Sequence, residues 1–279
     1  MLNIKKRLFI TISYKMKQIK ALETRAKYLR FEIIKQNYLS KTAHLASCLS
    51  CIDIMTVIFY RFKKKKDDFI LSKGHAALSL YVILKDKKLI SKKALSNYSK
   101  AGSILEEHPN PSIPSVACAT GSLGHGLSFA SGLAFANKIK KREGIIYVIL
   151  GDGECNEGTI WEAALFASSN KLSNIMAIVD YNKWQGTGRT NDILNLEPLL
   201  DKWKSFGWDT YEINGNSIKE ILNTFKKIIK NKKSQKPKVI IANTIKGKGV
   251  SFMEDDNNWH YRSPEYNEII TSKKEIFKK

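Results

Sequence analysis

Arginine is scarce in this chain of 279 residues: only seven of its 47 basic residues are arginine, and the rest are lysine. Bidentate recognition of bases and phosphates favours arginine's planar fork. The formal charge of +21 therefore does not by itself indicate a specific nucleic-acid binder, and it fits a solvated lysine surface. Long apolar runs are also missing. Stretches such as Ile145 to Leu150 are far shorter than the roughly 18 residues of a membrane span. Lys5, Lys6 and Arg7 precede only the short apolar segment Leu8 to Ile12, with no small-residue cleavage site after it, so no secretory signal is expected. Cysteine is limited to Cys48, Cys51, Cys118 and Cys155. The first two form a C-x-x-C, but no second pair completes a zinc tetrahedron. They are expected to be small buried hydrophobes, and free thiols suit the cytoplasm. Linkers rich in Gly, Pro or Ser are absent, as are internal repeats.

What is present is alternation. Residues 1–16 read as an N-terminal extension and 17–279 as one domain. Met16 to Tyr38 has helical composition, and Cys48 to Phe59 reads as a buried helix. Residues 67–73 read as a strand, Ala77 to Lys85 as a helix, and Ser122 to Lys140 as a helix whose Gly126 and Gly132 permit close packing. Ile145 to Leu150, Ile175 to Val179 and Val239 to Ile245 are short apolar segments of the kind that form strands buried on both faces, and Asp209 to Ile213 reads as a further strand between them. Helices fall between them. Glu157 to Lys171 is one, and Ser217 opens another with apolar residues at 218, 221, 222, 225, 228 and 229, a 3.6-residue period. Strand and helix in alternation predict an α/β fold, a doubly wound parallel sheet with helices on both faces.

Open α/β sheets bind ligands at the carboxyl ends of their strands. Gly151-Asp152-Gly153 follows one predicted strand, and Asp180-Tyr181-Asn182 ends the next. Asp152 and Asn182 thus supply a carboxylate and an amide oxygen side by side, hard donors of the kind magnesium prefers. The flanking glycines let a diphosphate approach the backbone. Alone, Gly-Asp-Gly is an ordinary strand-to-helix turn. With the second strand end at this spacing, Gly151 to Asn182 resembles the diphosphate-binding motif of thiamine-dependent enzymes.

The five histidines extend the resemblance to the transketolase family, in order along the chain. His44 follows Ser40-Lys41-Thr42-Ala43, where the family has Ser-Gly-His. His75 ends Leu71-Ser72-Lys73-Gly74-His75, and His108 lies in Glu107-His108-Pro109, similar to the family's Gly-His-Pro. His125 lies in Gly121-Ser122-Leu123-Gly124-His125-Gly126, where classical members often carry Gln. His260 follows Gly247 to Glu254, similar to the family's Lys-Gly-Lys-Gly stretch and later histidine.

The resemblance implies thiamine diphosphate and Mg2+ as cofactors. Asp152, Asn182 and the backbone carbonyl of Trp184 would hold the metal. Gly153 would contact the diphosphate, with Asn182 and His260 also near the cofactor. Gly121, Ser122 and Leu123 would lie along the aminopyrimidine, and His75 near the thiazolium. Glu157 would join an acidic network between two cofactor sites. His44, His108 and His260 would be the catalytic residues facing a sugar or sugar phosphate.

The resemblance covers about residues 20 to 265, less than half of a full-length transketolase, and so implies the N-terminal subunit of a split enzyme. Such a subunit would transfer a two-carbon ketol unit only with a C-terminal transketolase-like subunit, as a heterotetramer, with no specific nucleic acid and no membrane as partner. Ala43 and Ser112-Ile113-Pro114 depart from the family pattern and bear on the substrate. The alternatives are a specialised thiamine enzyme of sugar modification and the α-type subunit of a 2-oxo acid dehydrogenase.

Overall fold

A computed structural model describes residues 2–278, with side chains from Lys15 onward. The expected extension over residues 1–16 lies largely outside the described side chains. The chain opens with α1 (Leu2–Ser40) and α2 (Leu45–Val57), which runs on as a π turn over Ile58–Phe62. Then come β1 (Asp68–Leu71), α3 (Ala77–Asp86), α4 (Lys92–Ser96) and α5 (His125–Ile139). The regular half contains β2 (Ile146–Gly151), α6 (Gly158–Ser169), β3 (Ile175–Tyr181), α7 (Thr190–Ile193) and α8 (Leu199–Ser205). It closes with β4 (Asp209–Asn214), α9 (Ile218–Lys230), β5 (Lys238–Asn243) and α10 (Tyr266–Phe277).

The five strands among the described residues form one sheet in the order β1-β2-β3-β5-β4, and every pairing is parallel. Alternation along each strand divides the core in two. Tyr147, Ile149, Met176, Ile178 and Ile240 face a layer built from α1, α2, α3 and α9. Ile146, Val148, Leu150, Ala177, Val179 and Ile241 face a layer built from α5, α6 and α8. Helices therefore cover both faces. The β4-to-β5 connection turns back along the sheet, and its helix α9 lies on the face opposite α6 and α8. Right-handed crossovers running in opposite directions require this arrangement.

Segment Leu45–Phe62 has a mean hydropathy of 1.6 over 18 residues, apolar enough by composition to cross a membrane, yet 83% of it is buried inside the protein. Ser47, Ser50, Asp53 and Thr56 hide this run from a search for unbroken apolar stretches. Asp53 is paired there with Arg30 at 2.8 Å. Cys48 and Cys51 are fully buried, and burial pushes their thiols up to about 12 and about 11. They are packing residues, as expected. Gly126 is a close-approach glycine: a Cβ there would lie 2.8 Å from the Ser72 backbone. Gly132 is not, because a Cβ there meets nothing within 4 Å. α5 starts at His125 rather than Ser122, with Gly124 left-handed (φ 86°) just before it.

Candidate active site

A cleft of roughly 400 Å³ opens at the carboxyl ends of β1, β2 and β3. Asp152 leaves the end of β2 and Asn182 the end of β3, strands that are directly paired through Gly151 and Asp180. The Asp152 carboxylate accepts from the Gly153 N–H at 2.9 Å, the Lys183 N–H at 2.7 Å and the Thr190 hydroxyl at 3.1 Å. It ties the two strand-end loops together. Burial, and then the neighbouring charge of Asp180, push this carboxyl up to about 6. The Asn182 amide oxygen accepts from the Trp184 N–H at 3.0 Å.

Trp184 bridges Arg189 across a tight hairpin. The ladder bonds there belong to its neighbours, Gln185 to Gly188 and Thr190 to Lys183, so the Trp184 carbonyl is left for another partner. Arg189 stacks on the Trp184 ring at 3.8 Å and forks onto Asp255, which fixes the hairpin.

Beneath this layer lies a buried charge network. The Asp180 carboxylate, fully buried, accepts from the Lys73 ammonium and from the Ser50 and Thr244 hydroxyls. Burial opposes the Lys73 charge, but the charge and hydrogen bond of Asp180, with Cys51 and Cys48 beside it, together hold the ammonium above its ordinary value. Glu154, also buried, accepts from the Ser72 hydroxyl and from the Gly124 and Gly151 N–H groups. Burial raises its pKa, against those hydrogen bonds. One carboxylate thus clamps the end of β1, the start of α5 and the end of β2.

Four of the five histidines meet on the other wall. The His44 ring lies 5.4 Å from His75, 6.1 Å from His108 and 4.9 Å from His260 between centroids. The His44 N–H donates to the His260 carbonyl at 2.6 Å, joining segments distant in sequence. Burial, reinforced by neighbouring imidazoles and the cations Lys246 and Lys73, lowers His44 to about 4 and His260 to about 3. His75 is lowered well below its ordinary value for the same reasons. At neutral pH these three are uncharged imidazoles.

Gly121, Leu123, Gly153, Glu157 and Trp184 also line the cleft. One expected residue, Ser122, stands apart, exposed beside the cleft; the fifth histidine, His125, for which no role was expected, is also exposed and its ring turns to the Leu123 carbonyl at 3.1 Å. Lys73, Glu154, Asp180, Gln185 and Lys246 carry much of the site, and sequence reasoning assigns none of them a role. Lys73 and Asp180 lie within the motifs themselves. Their signal is a pair of opposite charges placed just after the apolar runs Phe69 to Leu71 and Ile175 to Val179.

The donors suit a diphosphate with a hard cation. Among the described residues no three His, Cys, Asp or Glu side chains gather as a metal site; the donors are one carboxylate, one amide and one carbonyl, all oxygen. The Gln185 amide nitrogen is buried without a hydrogen-bond partner. A Cβ on Gly153 would strike the Gln185 side chain at 2.7 Å. A glycine at 153 therefore lets that free donor reach over the cleft.

A family model described as the thiamine diphosphate binding domain of transketolase matches residues 22–277. The chain is 37% identical over 274 residues to an apulose-4-phosphate transketolase subunit of Phocaeicola vulgatus, spanning 94% of this chain and 97% of that protein. It is 38% identical over 222 residues to the 6-deoxy-6-sulfo-D-fructose transketolase subunit SqwG of a Clostridium species, spanning 76% of this chain and 80% of that one. The solved transketolase of Campylobacter jejuni superposes with a TM-score of 0.86 at 29% identity, over 92% of this chain but only 43% of that one.

Proposed function

This chain belongs to the transketolase family, through its thiamine diphosphate binding domain, and we propose that it is the cofactor-holding subunit of a split transketolase. One observation carries the reading: Asp152 and Asn182, on adjoining strand ends, open into the same cleft as His44, His75, His108 and His260. The oxygen donors of Asp152, Asn182 and Trp184 would hold Mg2+ against the diphosphate, with Gly153 and Gln185 beside it. Thiamine diphosphate, when bound, supplies the carbon chemistry that takes a two-carbon ketol unit from a ketose.

The residues of this chain supply position and protons. His44, His108 and His260 face the sugar hydroxyls. The lowered pKa values of His44 and His260 keep those two rings uncharged, able to give or take a proton. Four clustered imidazoles support a sugar substrate over a 2-oxo acid. The relatives named for apulose-4-phosphate and 6-deoxy-6-sulfo-D-fructose support a ketose outside the common pentose set, as do the departures from the family pattern at Ala43 and at Ser112 to Pro114.

A second chain completes the enzyme. Activation of the cofactor would need a carboxylic acid on its pyrimidine ring, and Asp152, Glu154 and Asp180 are all engaged in hydrogen bonds at the floor of the cleft. The partner supplies that carboxylic acid. Exposed Phe129 on α5 and Leu165 and Phe166 on α6 offer an apolar surface on helices whose N-terminal ends flank the cleft. Two copies of each chain fit a symmetric assembly. The four free thiols support a cytoplasmic setting.

The test is ketol transfer from a ketose to an aldose, with cofactor and Mg2+ in excess, by this chain with and without its partner. Turnover is expected only for the pair, and His44→Ala should reduce it by about 10²–10⁴. Robust turnover by this chain alone overturns the split-subunit reading.

A further inference from the structure

His260 and His44, the closest pair in the cluster, have neighbours of opposite charge. Lys246, buried beside His260, contacts the Asn257 amide oxygen at 2.6 Å, the Gln185 carbonyl at 3.3 Å and His260 Nδ1 at 3.1 Å. The Asn257 amide nitrogen donates to the Gly186 carbonyl at 2.9 Å, which leaves its oxygen for the lysine. An ammonium has three N–H groups and no lone pair. Two of its three contacts are oxygens that only accept. The third is then a donation into His260 Nδ1, which requires a lone pair on that nitrogen.

A neutral imidazole carries one proton, so in His260 it sits on Nε2. The low pKa of His260, about 3 through burial and the Lys246 charge, keeps the ring neutral. Nε2 faces Gly186, since a Cβ built there would lie 3.4 Å from it. The Gly186 carbonyl already accepts from Asn257 and from the Tyr261 hydroxyl, so both its lone pairs are engaged. The Nε2–H therefore remains available to the cleft.

His44 has the reverse surroundings. Its Nδ1 lies 3.7 Å from the Glu107 carboxylate, too long for a hydrogen bond, but that negative charge favours a proton on Nδ1 over one on Nε2, which leaves the lone pair on Nε2. Glu107 stands at the position where the family pattern has glycine.

We propose that Lys246 and Glu107 are positioning residues that hold His260 and His44 in opposite tautomers, so that one ring presents a donor and the other an acceptor to the same substrate. The two rings are 4.9 Å apart. A substrate hydroxyl between them can receive a hydrogen bond from His260 while giving its proton to His44, without either ring first changing tautomer. The purpose of this arrangement rests on the ketol-transfer reading; the tautomers themselves do not.

The test is imidazole nitrogen NMR on the full chain labelled at histidine, at neutral pH, with its five histidines assigned by single His→Asn variants. His260 should show an unprotonated Nδ1 and a protonated Nε2, and His44 the reverse. Lys246→Met should convert His260 to a tautomer mixture and leave His44 unchanged, whereas Glu107→Gln should act only on His44. In the enzyme assembled with its partner, Lys246→Met should reduce kcat by up to about 10² with little change in KM. A wild-type His260 with its proton on Nδ1 overturns the proposal. So does a His260 tautomer unaffected by Lys246→Met. Should the variants fail to fold, the wild-type spectrum alone decides. The expected tautomers in an enzyme without ketol transfer would contradict the functional reading and leave this one standing.

Discussion

Lys73 and Asp180 show how much of the site is buried electrostatics. Both side chains are essentially inaccessible, so neither charge is tolerable without the other. Their placement follows from the sheet: Lys73 comes just after β1 and Asp180 lies near the end of β3, on either side of β2. Removing one partner strands the other charge in the core. Asp180→Asn should therefore destabilise the chain by about 3–5 kcal/mol, measured by chemical denaturation, and Lys73→Met in the same chain should recover part of the loss. A cost below about 1 kcal/mol, the range of an exposed pair, would contradict a buried ionic pair. Burial of this kind is not visible in a sequence. Asp180 stands there only as the residue two before Asn182, and a lysine in a chain with 47 basic residues reads by default as surface.

At the scale of elements, the site is held together where loops cross closely. Gly74 is one such point. A Cβ there would lie 2.1 Å from the Thr120 carbonyl oxygen and 2.7 Å from its carbon, and backbone cannot swing aside as a flexible side chain can. Gly74→Ala should push the segment from Thr120 to Leu123 outward. The expected cost is about 1–3 kcal/mol, together with weaker thiamine diphosphate binding, because Gly121 and Leu123 line the cleft. Thermal unfolding and cofactor titration check both effects; unchanged values for both would show that this crossing does not shape the site.

β2, β3 and β5 are legible in the sequence because they are buried along almost their whole length and are apolar apart from Asp180 and the ends of β5, whereas the edge strand β4 is polar and largely unburied. α9 is legible from its period, and Ser217 caps it by accepting from the Glu220 N–H. α10 is not. Its capping box uses Glu265 and Glu268 in place of the usual hydroxyl residue, and it buries only Ser272 and Ile276. The long segment between α4 and α5 carries His108 and Gly121 without regular structure, and no periodicity announces it. The π turn after α2 is equally hidden, since its apolar residues continue the helical pattern.

For the molecule as a whole, alternating segments and the order of the histidines are enough to reach the fold and the family. They do not reveal that one wall of the cleft is oxygen donors and the other neutral imidazoles, because that division arises from burial and from which strands are neighbours. Nor does the charge of +21 bear on the cleft, where the cations Lys73 and Lys246 are buried and individually bonded. The central question is whether this cleft holds a magnesium-bound diphosphate. The most direct measurement is calorimetric titration of thiamine diphosphate into the chain assembled with its partner, with Mg2+ present, for the wild type and for Asp152→Asn. The wild type should bind, and the variant should bind at least about tenfold more weakly, a loss of roughly 1.4 kcal/mol or more. Equal affinity in the two proteins would mean that Gly151-Asp152-Gly153 is only a turn, and would contradict the site described here.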